Sequence, residues 1–261
     1  MDVDLLSPRA VRKAAAPSWQ WRPAWSLGLS AAAAIWVAID LLSPIAAKRF
    51  SDQVYTTQIG NQRHILLADG SAVDLNTDSQ LRVHFTDDRR QVTLVRGEAA
   101  FKVIHDSGRP FDVQAGKSMV HVLSTTFSVR LRDEARVDVR VTEGRVAISP
   151  PPTAVLNAGD AAIVTNGHLA VIREPVDILK RRLLWTQGRL FFNGETLAEA
   201  VSEFNRYNHR MLVIADPKMA GLRISGTFSA TDPEGFVTTV RALPAARDSD
   251  AGAIRLDGKE P

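Results

Sequence analysis

Apolar and polar residues alternate cleanly through much of the chain's middle. "LRVHF" (Leu81 to Phe85), "FSVRLR" (Phe127 to Arg132) and "RVDVRV" (Arg136 to Val141) each place side chains on two opposite faces. Such runs predict strands with one face buried and the other wet. Turn signals separate them. Asp69-Gly70 and Asn166-Gly167 suit tight hairpin turns, and Arg96-Gly97 and Glu143-Gly144 suit further turns or bulges. Residues 54–174 therefore read as an all-β domain, a sandwich or a solenoid-like stack.

Near Pro175 the period changes. A short helical segment leads to a strand at Arg189 to Phe192. Thr196 and Glu199 then have the spacing of a capping box. Leu197, Ala200, Val201 and Phe204 form one apolar helical stripe. "MLVIAD" and "LRISGTFS" read as strands. Asp232 and Pro233 open a second helix, and "AIRLD" closes the order β-α-β-β-α-β. Residues 178–258 thus read as a small α+β module, and the fold class as mainly β plus α+β.

A third pattern lies near the start. "AWSLGLSAAAAIWVAIDLLSP", Ala24 to Pro44, is apolar on all sides and carries one ionisable residue, Asp40. Its nineteen residues to Leu42 would span roughly 28 Å as a helix, against a hydrocarbon core of ~30 Å. Residues 24–44 are therefore expected to form one transmembrane helix. A cleaved export signal and a buried soluble helix are the alternatives. Arg9, Arg12, Lys13 and Arg22 precede the segment, while Lys48 and Arg49 follow it closely. That bias keeps residues 1–23, a short basic stub, in the cytoplasm and sends the bulk across the membrane.

Composition narrows the chemistry. The formal charge is only +3, which gives no case for nucleic acid, and the absence of cysteine excludes disulfides and thiolate chemistry. The six histidines have no metal-ligand spacing, and no nucleophile elbow or phosphate loop occurs. No catalytic constellation, metal site or cofactor is expected, and the reading is not an enzyme. A hydrolase of envelope polymers would need a carboxylate pair in a groove.

Several blocks together resemble a known family. "ILLADGSAVDLNTDSQLRV", "RRQVTLVRGEAAFKVIHDSGRPFDVQAG", "VHVLSTTFSVR", "VRVTEGRVAI" and "LNAGDAAIV" are similar, in order, to the blocks of FecR-type regulators. "LLWTQGRLFFNGETLAEAVSEFNRY" resembles that family's C-terminal module, itself similar to the short N-terminal domain of secretins and TonB-dependent receptors. The resemblance implies a single-pass inner-membrane anti-sigma regulator with a periplasmic bulk. Its implied partners are the N-terminal signalling domain of a TonB-dependent outer-membrane receptor, an extracytoplasmic-function sigma factor and the inner membrane. Control of iron-siderophore uptake is the implied role. An envelope scaffold docking on a secretin-like assembly is the alternative.

Two departures from the family pattern bear on this. Only 24 residues precede Trp25, too few and too polar to bury a core, so most of the sigma-gripping domain is expected to be missing or to lie upstream. Ser124-Thr125 stands where the family usually has Gly-Thr, a bond at which some members are thought to self-cleave by an N–O acyl shift. Serine hinders the strained approach that glycine eases. The plain reading of Thr125 is a strand-end residue. For receptor contact, Asn205, Arg206, Tyr207 and Arg210 are the candidates, at an expected exposed end of the helix Leu197 to Tyr207, with core packing the alternative for Tyr207.

Overall fold

The computed structural model describes residues 52–133, 135–149, 153–247 and 254–257. All of them fall in one compact unit, Arg49–Pro261.

Thirteen strands form a single hydrogen-bonded sheet. They are β1 (Gln53–Thr56), β2 (Arg63–Leu66), β3 (Ala72–Leu75), β4 (Gln80–Phe85), β5 (Arg90–Val103), β6 (Phe111–Ala115), β7 (Ser118–Val122), β8 (Thr125–Asp133), β9 (Arg136–Glu143), β10 (Arg145–Ser149), β11 (Ala154–Asn157), β12 (Asp160–Thr165) and β13 (His168–Arg173).

The 14-residue β5 is the hub. Its first half pairs antiparallel with β4 and parallel with β6. Its second half pairs with β3 and β8. Between the halves sits Gly97 at φ +85°, and a Cβ there would lie 2.0 Å from the Ser79 hydroxyl oxygen. Only glycine permits both that backbone conformation and that approach. The sheet curls at β5, and its two halves enclose one core. Phe101 stacks on Phe127 at 5.1 Å and meets Phe111 edge-on at 6.2 Å. Val73, Leu75, Val92, Leu94, Val129 and Val139 fill the space around them.

The signature "ADGS" has a structural job. Asp69 accepts hydrogen bonds from the Ser71 amide (2.9 Å) and hydroxyl (2.7 Å), and from Arg90 Nη1 (2.8 Å). The Arg90 side chain is wholly buried. Of the two expected tight hairpins, Asn166-Gly167 has both residues at positive φ, as a type I′ turn requires, whereas at Asp69-Gly70 only the glycine does.

The C-terminal part begins with α1 (Val176–Arg182) and a 3₁₀ turn, Leu183–Gln187. Then come β14 (Arg189–Thr196), α2 (Leu197–Phe204), β15 (Met211–Ile214), a 3₁₀ turn at Pro217–Gly221, and β16 (Arg223–Ser229). Last are α3 (Pro233–Ala242), α4 (Pro244–Arg247) and β17 (Ile254–Asp257). β14 pairs with β16 and β15 with β17, as two separate two-stranded sheets. Phe192, Phe204, Phe228 and Phe236 interlock as its core, with centroids 4.3–6.3 Å apart. The Thr196–Glu199 capping box forms, and Asp232 caps α3 through the Gly235 amide at 2.9 Å.

These findings correct the expected fold class and localisation. The β strands make one curled sheet rather than two separate sandwich layers or a solenoid. Among the described residues no helix is long and apolar enough to cross a membrane. The longest, α3, has ten residues, about 15 Å against the ~30 Å needed. The segment Ala24 to Pro44 lies outside the described residues. The single-pass inner-membrane placement, with its cytoplasmic N-terminus and periplasmic bulk, rested on that segment and is withdrawn.

Candidate functional site

The polar face of the sheet is covered. On β8 the residues facing away from the core are Ser128, Arg130 and Arg132, and on β9 Arg136, Asp138 and Arg140. Strand register aligns them in rows. Arg130 pairs with Asp138, which pairs with Ile163. Ser128 pairs with Arg140, then Ala161, then Ile172. Asp138 is only 2% exposed because β14, α2 and Trp185 pack over this face. Between the two lies a groove of about 640 Å³.

At one side of the groove a polar seam joins the sheet to the end of α2. Arg206 bonds to Glu98 at 3.0 Å and also to Glu203. Glu203 pairs in turn with Arg130 of β8 at 2.8 Å. Asn76 donates to Glu98 (3.0 Å) and to the Tyr207 hydroxyl (2.8 Å), and the Thr77 hydroxyl donates to the Arg206 carbonyl (3.0 Å). Burial alone would raise the pKa of Glu203, but the positive charges of Arg206 and Arg130 overcome it and hold it at about 2. Burial first, and then the charge of Glu98, pushes the Tyr207 phenol up, so it stays protonated. Two of the family-like blocks, "LNTDS" and "RGE", thus supply Asn76 and Glu98 to hold a third, "NRY".

The structure brings three of the four candidate contact residues onto one end of α2 and puts them to internal use. Tyr207 is 2% exposed and Arg206 points into the seam. Asn205 gives its amide to the Leu212 carbonyl (3.0 Å) and accepts from the Leu212 amide (2.7 Å). It occupies the edge positions a neighbouring strand would use on β15. Arg210 stands apart, partly exposed and paired with Glu234 at 2.7 Å. The stripe Leu197, Ala200, Val201, Phe204 identified the buried face of α2 in the sequence, but its polar end turns inward as well, because a charged sheet face lies beneath it. Removing the phenol oxygen in Tyr207→Phe is expected to cost about 1 kcal/mol, measurable by urea unfolding, since Asn76 keeps Glu98 as its second partner.

On its outer side α2 forms a shallow groove with β15, lined by Ala198, Val201, Ser202, Asn205, Arg206, Met211 and Ile214. Met211 is 48% exposed there.

At the proposed cleavage bond, Ser124 is exposed and Thr125 is buried at the start of β8. The Thr125 hydroxyl donates to the Arg145 carbonyl at 3.0 Å. Among the described residues no three histidine, aspartate or glutamate side chains converge to hold a metal ion.

The comparisons with known proteins agree with this architecture. The family model described as FecR protein matches residues 53–147, from β1 into β10. Two crystal structures of a "putative anti-sigma factor" from Parabacteroides distasonis are each similar at a TM-score of 0.64 and 25% identity. Each similarity covers 80% of this chain and 100% of the other. No curated protein matches the chain. The chain thus carries a FecR domain at residues 53–147 and is similar, over the greater part of its length, to structures described as anti-sigma factors.

Proposed function

We propose that the protein relays the state of a TonB-dependent outer-membrane receptor to an extracytoplasmic-function sigma factor, in the control of iron-siderophore uptake. The receptor's N-terminal signalling domain docks on the C-terminal module, across the groove between α2 and β15. One observation carries this reading: α2 has two working sides. Its outer side offers the half-apolar groove around Met211, and its inner side is bolted to the FecR domain through Glu203, Arg206 and Tyr207. A ligand on the outer side therefore acts on the same helix that holds the sheet. Strand addition at β15 is the weaker mode, because Asn205 already uses the Leu212 edge. The protein signals by contact and catalyses nothing in this reading.

Met211→Glu tests it. The substitution is expected to lower capture of the receptor's signalling domain about tenfold or more while leaving thermal unfolding unchanged, since the side chain is half exposed. Arg210→Glu is the second surface variant. Arg206→Glu is unsuitable, because it would place a third carboxylate beside Glu98 and Glu203. Undiminished capture by both Met211→Glu and Arg210→Glu would remove the α2–β15 groove as the docking site.

A further inference from the structure

The large groove between sheet and module carries unbalanced charge at one end. Most of its acids are committed. Glu98 and Glu203 are held by Arg206 and Arg130, and Glu174 and Glu195 by Arg182. Around Asp138 the balance fails. Arg132 bonds to it at 2.7 Å, but Arg136 and Arg140 stand at 3.5 and 3.6 Å. Three guanidiniums crowd one carboxylate; Glu199 also acts on Arg132 and Glu98 on Arg140, but neither Arg136 nor Arg140 has a carboxylate within hydrogen-bond distance.

Beyond its 3.6 Å ion pair with Asp138, the Arg140 guanidinium makes no side-chain hydrogen bond among the described residues, and the side chain is only 20% exposed. Burial presses its pKa down, Glu98 and Asp138 resist, and Arg182 and Arg130 add to the fall. A guanidinium does not give up its proton, so the charge stays and remains poorly compensated. Elsewhere in the lining of the same groove, the buried indole N–H of Trp185 also has no hydrogen-bond partner among the described residues. Beside these groups the wall is apolar. Ile163 sits across from Asp138 in register, and Ile172 lies in the Arg140 row, one strand beyond Ala161.

We propose that this end of the groove binds a small organic carboxylate, with Arg136 and Arg140 pairing with its oxygens, the Trp185 indole as a further donor, and Ile163 and Ile172 against its hydrocarbon part. The planar fork of a guanidinium matches a carboxylate. A hydrated inorganic anion would gain nothing from the apolar wall. The volume, about 640 Å³, is in the range of small-molecule sites. The two grooves share Ala198 and Ser202 of α2, but this site uses neither and does not depend on the receptor reading.

The test uses the full chain with ¹⁵N-labelled tryptophan. The Trp185 indole resonance is assigned by its loss in Trp185→Phe, which separates it from the other four tryptophans. Glutarate is titrated to about 10 mM, which would reveal a millimolar site, with chloride and phosphate controls at matched ionic strength. The Trp185 resonance is expected to shift saturably with glutarate alone, and Arg140→Gln to weaken the response about tenfold or more. Arg136→Gln gives the same reading should Arg140→Gln fail to fold. No shift, an equal shift with chloride or phosphate, or an unchanged affinity in the folded arginine variant would overturn the proposal.

Discussion

Arg90→Met is expected to lower the unfolding free energy by about 3–5 kcal/mol, the usual result of breaking one side of a buried ion pair. Arg90 sits at the start of the hub strand β5 with its side chain fully enclosed. Its Nε donates to the Arg109 carbonyl at 2.8 Å, and Nη1 donates to Asp69 at 2.8 Å and the Ile104 carbonyl at 3.2 Å. Its guanidinium also lies over the Phe111 ring at 5.4 Å. Methionine fills the space and packs on Phe111, but Asp69, with 3% of its side chain exposed, is left as a buried charge without its cation. In a unit of this size the thermal midpoint should fall by roughly 6–20 °C. The double variant Arg90→Met, Asp69→Asn should recover part of the loss, because the stranded charge is gone. A single variant melting within about 2 °C of the parent would show that the pair does not anchor the turn.

Arg206→Gln is expected to cost about 3 kcal/mol at neutral pH, by leaving Glu98 with only the Asn76 amide and Glu203 with only Arg130 as partner. Its acid profile is the more specific signature. The folded pKa of Glu203, about 2, lies below its ordinary 4.5. The stability this provides is fully present above about 4.5 and is lost as pH falls from there towards about 2. Urea midpoints measured between pH 7 and pH 2 should therefore drop steeply below 4.5 in the parent. They should drop much less in Arg206→Gln, which no longer holds that carboxylate ionised. Parallel curves would mean that Arg206 does not set the charge state of Glu203.

The strand runs around Leu81, Phe127 and Val137 were legible because alternation is a local property and a buried face tolerates no slip. The caps at Thr196 and Asp232 were legible for the same reason, as each needs only three or four neighbouring residues. The hub role of β5 was not. It depends on partners as distant as Phe127 and Phe111, and on a glycine whose importance comes from Ser79, eighteen residues earlier. Alternation likewise marks the polar face of "RVDVRV" but does not say what lies over it. That face is covered by the C-terminal module, so Asp138 and Arg140 belong to a groove rather than to bulk water. For the same reason the end of α2 was misplaced. Arg206 and Tyr207 look like surface residues beside Asn205 and Asn208, and nothing near them in sequence announces Asn76 or Glu98. The apolar segment from Ala24 was the most conspicuous pattern of all, yet it falls outside the described residues.

The ionic character of the joint beneath α2 has a mechanical consequence. An oily joint, once parted, shows surfaces that water rejects and that cling to whatever is near. A joint built largely from glutamates and arginines would, if parted, show groups that water accepts readily. Acid, which neutralises Glu203 as pH falls from about 4.5 towards about 2, rather than salt, which screens such enclosed pairs poorly, is the condition to which this joint is most sensitive.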